Sequence, residues 1–166
     1  MSTQYGYMQH EACTLFGIMR LSGAAGVLTS LDFGVEHLGA QSEESWMQQA
    51  TAWLHAYCAG NNFSGQTTSS PPALQPGGSA FQRKVWAVLQ QIPLGETITY
   101  AELARRAGSA PRAVGGALRA NPLPIFIPCH RVLAAHGLGG YCGASELGRQ
   151  RKLWLLEHEA RMSRRT

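Results

Sequence analysis

Apolar positions in the first third of the chain form two short runs and then one helical stripe. Leu15–Leu21 and Val27–Phe33 are separated by Ser22-Gly23-Ala24-Ala25-Gly26. Two apolar runs joined by a Gly-bearing loop predict a β-hairpin within residues 13–33. From Ser45 to Tyr57, Trp46, Ala50, Trp53, Leu54 and Tyr57 recur at helical spacing, which predicts an amphipathic helix with both tryptophans in the core. Asn61–Ser79 breaks both periods. Asn, Ser, Gly, Thr and Pro dominate there, with Pro71-Pro72 and Pro76-Gly77-Gly78, the composition of a linker or long surface loop.

Past Ser79 the pattern is helical. Ser79 can cap a helix whose apolar positions are Phe81, Val85, Trp86 and Leu89, ending before Pro93-Leu94-Gly95. Thr99 can cap the next, and Glu102 stands three residues on, the spacing of a capping box. That helix runs from Tyr100 to Ala107. Gly108-Ser109 makes a turn, Pro111 suits the first position of another helix, and Arg112–Ala120 continues it up to Asn121-Pro122. Two short helices joined by a Gly-bearing turn predict a helix-turn-helix. A last helix is expected over Leu147–Arg161. The expected class is α+β, with a small antiparallel sheet and helix first and a helical, helix-turn-helix domain second. The boundaries are 1–62 for the N-terminal domain, 63–78 for the linker and 79–166 for the C-terminal domain.

Charge sharpens this division. Before Ser79 one basic residue faces five acids, a net −4; from Ser79 onward thirteen face five, a net +8. The basic half reads either as a solvated face or as a polyanion-binding surface. Hydrophobic content of 45% and charged content of 14% exclude a disordered chain, and no apolar run is long enough to span a bilayer. The start, Met1-Ser2-Thr3-Gln4-Tyr5, lacks the basic-then-apolar order of a secretory signal, so a cytoplasmic location is expected. Cys13, Cys58, Cys129 and Cys142 are accordingly read as free thiols. His10-x-x-Cys13 and His55-x-x-Cys58 could together make a Cys2His2 zinc set, although cysteine on a helix face is ordinary core.

Chemistry concentrates at Ile127-Pro-Cys-His-Arg-Val-Leu133. Pro124 and Pro128 stiffen the approach, and His130 and Arg131 follow Cys129 with groups that favour a thiolate. A reactive thiol fits these neighbours better than an inert one, and a hydrolase nucleophile would fit equally well. His130, being adjacent in sequence, would reach Cys129 only through a water.

Asn121-Pro-Leu-Pro-Ile-Phe-Ile-Pro-Cys-His-Arg-Val132 resembles the active-site run of the O6-alkylguanine-DNA alkyltransferases. The likeness extends through Gly95–Ala104, Arg112–Arg119, Tyr141 and Lys152–Glu159, so that nearly all of 79–160 is covered in order. Residues 1–60 match loosely the hairpin and helix order of the family's N-terminal domain, a three-stranded sheet of ribonuclease-H-like form. The resemblance implies direct, irreversible and stoichiometric transfer of an alkyl group from O6 of guanine, with O4 of thymine a further substrate to consider, onto Cys129. His130 would take the thiol proton through a water, Glu159 would orient His130, and Asn121 would hold the turn leading into the segment. Tyr100 would donate to the extruded base, and Arg112 would enter the stack it leaves. Ala113, Gly116 and Arg119 would complete the DNA-facing set. The carbonyls of Cys129 and Val132 would accept from the guanine amino group, and Tyr141 would wall the pocket. Tight helix packing accounts for Gly115-Gly116 about as well as close approach to DNA.

The implied partner is double-stranded DNA carrying O6-alkylguanine, bound without sequence preference and with base flipping. No metal, cofactor or membrane is implied, and a monomer in solution is expected, with clustering along DNA left open. The chain departs from the family after Tyr141, where Cys142-Gly143-Ala144 replaces a small residue and two glycines. That puts Cys142 near the pocket, where it bears on alkyl size. The alternatives are a lesion-binding sensor without transfer, against which Cys129 with His130 and Glu159 tells, and a cysteine hydrolase, which would turn over.

Overall fold

The fold is that of a computed structural model, which describes residues 2–61, 71–140 and 145–164. The chain divides into two compact units, Met1–Pro76 and Gly77–Arg165.

In the first unit β1 (Gln4–Met8), β2 (Met19–Ala24) and β3 (Val27–Asp32) form an antiparallel meander in that order. The β2–β3 hairpin closes on two residues, Ala25 and Gly26, with φ of 53° and 83°. A two-residue turn with both φ positive matches the right-handed strand twist. Helix α1 (Ser45–Cys58) packs on β1 and β2. Its buried positions are Met47, Ala50, Leu54, Tyr57 and Cys58, while Trp46 and Trp53 sit only half-buried at the margin. Gly23 explains the close approach, since a Cβ there would lie 2.8 Å from the Trp46 ring.

Three expectations are corrected in this unit. Leu15 does not begin a strand, because Glu11–Phe16 is a 3-10 helix and β2 starts at Met19. The His10 side chain accepts from the Ala12 amide at its start, and Cys13 and Phe16, three apart, turn inward. The cysteines are not all free thiols: Cys13 and Cys58 form a disulfide between this 3-10 helix and α1, with Cα atoms 6.0 Å apart. The Cys2His2 set is therefore not assembled, and the His10 and His55 rings instead pack edge to face, 5.6 Å between centroids. Part of the expected linker is also structured. Leu28 donates to Ala73 and accepts from Gln75, so 73–75 lie along the β3 edge; of the rest of that linker, 63–70 fall outside the described residues.

The second unit is helical, with α2 (Ala80–Leu89), α3 (Tyr100–Ala107), α4 (Pro111–Arg119) and α5 (Glu146–Ser163). A two-residue parallel pair joins β4 (Ile98–Thr99) to β5 (Val132–Leu133). Ser79 and Gln82 form a reciprocal capping box. Thr99 accepts from the Glu102 amide, but the Glu102 carboxylate turns to Arg105 and Arg106, so only half of the expected box forms there. Gly108 closes α3 in the left-handed region at φ 64° and Pro111 opens α4, which completes the helix-turn-helix. Leu103, Ala104 and Ala107 of α3 and Val114, Ala117 and Leu118 of α4 are buried, as are Val85, Trp86 and Leu89 of α2. The Trp86 indole donates to the Ala117 carbonyl at 2.9 Å. Phe81 remains 37% exposed and adds little to this core.

Candidate active site

The segment from Asn121 to Leu133 lies within the second unit and is held by its own first residue. The Asn121 amide donates to the Ile127 carbonyl at 2.8 Å, and its carbonyl accepts from the Leu123 amide at 3.0 Å. Between these contacts Ile125 takes φ 75°, a left-handed conformation that costs a β-branched residue about 1–3 kcal/mol. Burial of Leu123, Ile125, Phe126 and Ile127 holds the bend. Cys129 then opens a 3-10 turn, Cys129–Arg131, that leads into β5. It is not disulfide-bonded and is 6% exposed.

His130 is fully buried, and its Nε2 lies 2.7 Å from Glu159 Oε1. A carboxylate accepts only, so Nε2 carries the proton and Nδ1 is left with its lone pair. That Nδ1 is buried and has no hydrogen-bond partner among the described residues. Burial pulls the His130 pKa down, and the Glu159 carboxylate only partly restores it. The outcome is a neutral imidazole with an unengaged base nitrogen, one residue from a thiol.

Glu159 is itself an ion-pair centre. Arg131 donates to it from Nε and Nη2 at 2.8 Å each, the Gly95 amide donates at 3.2 Å, and Arg131 Nη1 reaches the Ile92 carbonyl. Burial alone would raise the carboxyl pKa, but the hydrogen bonds from His130 and Arg131, with the Arg131 charge, outweigh it and hold Glu159 well below the usual carboxylate range. Arg131, whose neighbouring charge the sequence assigned to the thiol, is thus turned toward Glu159.

Tyr100, at the start of α3, donates from its hydroxyl to the Gly140 carbonyl at 3.4 Å. Burial and then the Cys129 charge raise its pKa, against a smaller opposing effect of Arg119. Tyr100 therefore stays a protonated donor within electrostatic reach of Cys129. Lys152 of α5 was not singled out by the sequence. It is completely buried and donates to Val132 O at 2.6 Å and to Gly140 O at 3.2 Å. Burial lowers its pKa to about 8, against the opposing pull of Cys129. The available signal was its place on the buried stripe Gly148, Lys152, Leu155, Glu159 and Met162, where an unpaired lysine is costly.

Arg112, Ala113, Gly116 and Arg119 are exposed on one face of α4, opposite the buried Val114, Ala117 and Leu118. A Cβ at Gly116 would meet nothing within 4 Å, and one at Gly115 would only touch Tyr100 at 3.9 Å. Internal packing therefore does not require either glycine. Cys129, His130, Glu159, Asn121, Tyr100 and the Val132 carbonyl belong to one constellation, and α4 adjoins it at Tyr100, where the Arg119 charge acts and a Cβ at Gly115 would lie 3.9 Å from the ring. Tyr141 and Cys142 lie outside the described residues.

A profile of the 6-O-methylguanine DNA methyltransferase DNA-binding domain matches residues 80–161. The methylated-DNA–protein-cysteine methyltransferase of Mycolicibacterium paratuberculosis is 42% identical over 151 residues, 89% of this chain and 88% of that protein. The crystal structure of Mycobacterium tuberculosis O6-methylguanine methyltransferase superposes with a TM-score of 0.78 at 34% identity, covering 97% of this chain and 94% of that one. The Mycobacterium tuberculosis protein in complex with DNA gives 0.74 at 35% identity, over 96% and 94% of the respective chains. The chain belongs to the methylated-DNA–protein-cysteine methyltransferase family, whose members are DNA-repair enzymes.

Proposed function

We propose that this chain repairs O6-alkylguanine in double-stranded DNA by a single, irreversible transfer of the alkyl group to Cys129. The observation that carries the reading is the buried Glu159–His130 pair, which leaves Nδ1 unengaged on the residue that follows the only described cysteine outside the disulfide. His130 Nδ1 takes the Sγ proton by way of a water, and Glu159 stabilises the imidazolium that results. The thiolate attacks the sp3 alkyl carbon from behind. A sulfur–carbon bond forms as the carbon–O6 bond breaks, and the electron pair leaves with the guanine. Tyr100, kept protonated, donates to the base and offsets that developing charge. The carbonyls of Cys129 and Val132 accept from the guanine amino group; Val132 has a second lone pair beyond the one Lys152 uses.

The product is a thioether with no carbonyl for water to attack, so Cys129 is not regenerated and each molecule acts once. O6 cannot reach a buried thiol from within stacked duplex, so the nucleotide must flip out, at a cost of a few kcal/mol. Arg112 enters the gap, while Ala113 and Gly116 let the α4 backbone approach the minor groove and Arg119 pairs with phosphate. Binding is then independent of sequence and sensitive to salt. O4-alkylthymine presents the same sp3 carbon on an aryl oxygen and is a further substrate on this reading.

The decisive measurement is intact mass after mixing with a duplex carrying one O6-methylguanine, beside Cys129→Ser. A gain of one methyl group by the wild type alone, with guanine restored in equal amount, supports the reading. Tight lesion binding without mass change would leave a sensor. Product in excess of protein would make it a turning-over hydrolase.

A further inference from the structure

His10-x-x-Cys13 and His55-x-x-Cys58 form a sequence pattern that alkyl transfer leaves unused. All four residues lie in the first unit, and the fold joins the two pairs twice. Cys13 and Cys58 are bonded, and the His10 and His55 rings meet edge to face with centroids 5.6 Å apart. His55 and Cys58, three apart, share a face of α1. His10 caps the 3-10 helix that carries Cys13, whose amide donates to the His10 carbonyl at 2.9 Å. Four side chains from two elements thus converge, with the sulfurs inside and the imidazoles outward. Cys13 and Cys58 are 1% and 0% exposed, while His10 is half-buried and His55 exposed.

With the bond closed the sulfurs cannot act as thiolates, and no three metal-binding side chains stand ready as a group among the described residues. Opening it changes the chemistry more than the geometry. Two molecules of a small thiol supply two electrons and two protons and leave as their own disulfide, so that Cys13 and Cys58 become thiols. A tetrahedral ion with metal–sulfur bonds of about 2.3 Å holds two sulfurs about 3.8 Å apart. From Cα atoms 6.0 Å apart, a change of side-chain rotamer reaches that spacing. The same ion, with metal–nitrogen bonds of about 2.0–2.1 Å, holds two imidazole centroids about 5.2 Å apart. His10 and His55, at 5.6 Å, are already close to it. His10 Nδ1 accepts from the Ala12 amide at 3.1 Å, and this exposed bond is one that water can replace when the lone pair turns to an ion.

We infer that, once the disulfide is reduced, Cys13, Cys58, His10 and His55 bind one divalent cation of the zinc class, which takes over the cross-link between the 3-10 helix and α1. Two thiolates and two imidazoles select a tetrahedral, borderline-soft ion over oxygen-seeking magnesium or calcium. Four protein ligands close the site, so the ion is structural. Its binding displaces the two thiol protons, and reoxidation to the disulfide expels it. Disulfide and metal are alternative staples for the same two elements. Cys129 takes no part, and the inference stands or falls independently of alkyl transfer.

The full chain with Cys129→Ser and Cys142→Ser retains only the two thiols in question. It is reduced with a small thiol, desalted without oxygen, and titrated with divalent cobalt and then zinc. One cobalt per chain is expected, with thiolate-to-cobalt charge transfer and the visible bands of a tetrahedral ion, and zinc should displace it. The oxidised chain should take up none. Losing even an outer partner of a metal ligand weakens binding about 10–100-fold, so His10→Ala and His55→Ala should each cost at least that. Zinc should also restore the thermal midpoint lost on reduction, and a reduced chain that unfolds but refolds with zinc supports the site equally. No stoichiometric uptake, an octahedral cobalt spectrum, or uptake unchanged in both histidine variants overturns the inference. So does a reduced chain that zinc leaves unfolded.

Discussion

Gly116 separates two explanations that predict opposite signs. Helix interiors disfavour glycine by about 0.8–1 kcal/mol relative to alanine, and the cost is accepted only when something needs the space. Inside the protein nothing does, since an added Cβ would meet no atom within 4 Å and the position is exposed on α4. Gly116→Ala should therefore stabilise the protein by a little under about 1 kcal/mol, raising the midpoint by roughly 2–4 °C for a chain of this length. Gly116→Leu should at least hold its stability. Both should impair transfer from duplex DNA, because a side chain now stands where the α4 backbone approaches the groove. A loss of about 1.4 kcal/mol in that complex is a tenfold drop in affinity, expected for leucine and less for alanine. Reaction with free O6-benzylguanine, which has no duplex around it, should be unchanged. Calorimetry with single-turnover rates on both substrates reads all of these at once. A destabilised Gly116→Ala would mean that the glycine serves packing. Equal losses on duplex and free base would take α4 off the DNA.

Arg112→Ala should lose transfer from duplex DNA about tenfold or more while reacting normally with O6-benzylguanine, because filling the stack matters only when a base must leave it; equal losses in the two single-turnover assays would remove its extrusion role. Breaking Cys13–Cys58, which closes a loop with a sequence separation of 45, should cost about 2–4 kcal/mol, seen as a lower midpoint for Cys58→Ser or under reductant, with the Cys129 alkylation rate preserved. Glu159→Gln leaves Arg131 as a buried charge without its partner and should cost about 3–5 kcal/mol, measured by denaturant titration; Arg131→Met in the same chain should recover part of it. In the wild type, both His130 and Glu159 have lowered folded pKa values. Stability should thus be level above about pH 6.5, then decline as unfolded histidine takes up protons, and decline further below about pH 4.3 as unfolded carboxylate does so. A midpoint that rises on acidification from pH 7 to pH 5 would contradict the burial argument for His130.

Features written in local chemistry could be read from the sequence. Ser79, Thr99, Gly108 and Pro111 mark helix ends through bonds or φ values that each residue satisfies within a few positions, and they place α2, α3 and α4 correctly. What failed depended on partners far along the chain. The turn at Glu11–Phe16 looks like a strand because its leucine and phenylalanine are apolar, and only the bond to Cys58 and the His10 cap show it as a helix. Both tryptophans of α1 drew attention by size, yet the buried stripe runs through Met47 and Leu54. Arg131 looked like a thiolate partner because adjacency in sequence is easily taken for contact. Its side chain leaves the Cys129 turn for Glu159, which lies 28 residues away.

Glu159 shows why the site needs so much buried charge. Its Oε1 receives both His130 Nε2 and Arg131 Nη2, and its Oε2 receives Arg131 Nε and the Gly95 amide. An isolated His–Glu pair would tend to pull the proton balance toward imidazolium, and a histidine already protonated cannot take a proton from a thiol. Arg131 supplies the cation that Glu159 needs in the resting state, so His130 can remain neutral while its tautomer is fixed. Replacing this cluster with packed hydrocarbon would be about as stable or more so, but would leave Nδ1 free to carry the proton in half of its tautomers. The charges are better explained by the protonation state they enforce on one nitrogen than by the stability they add.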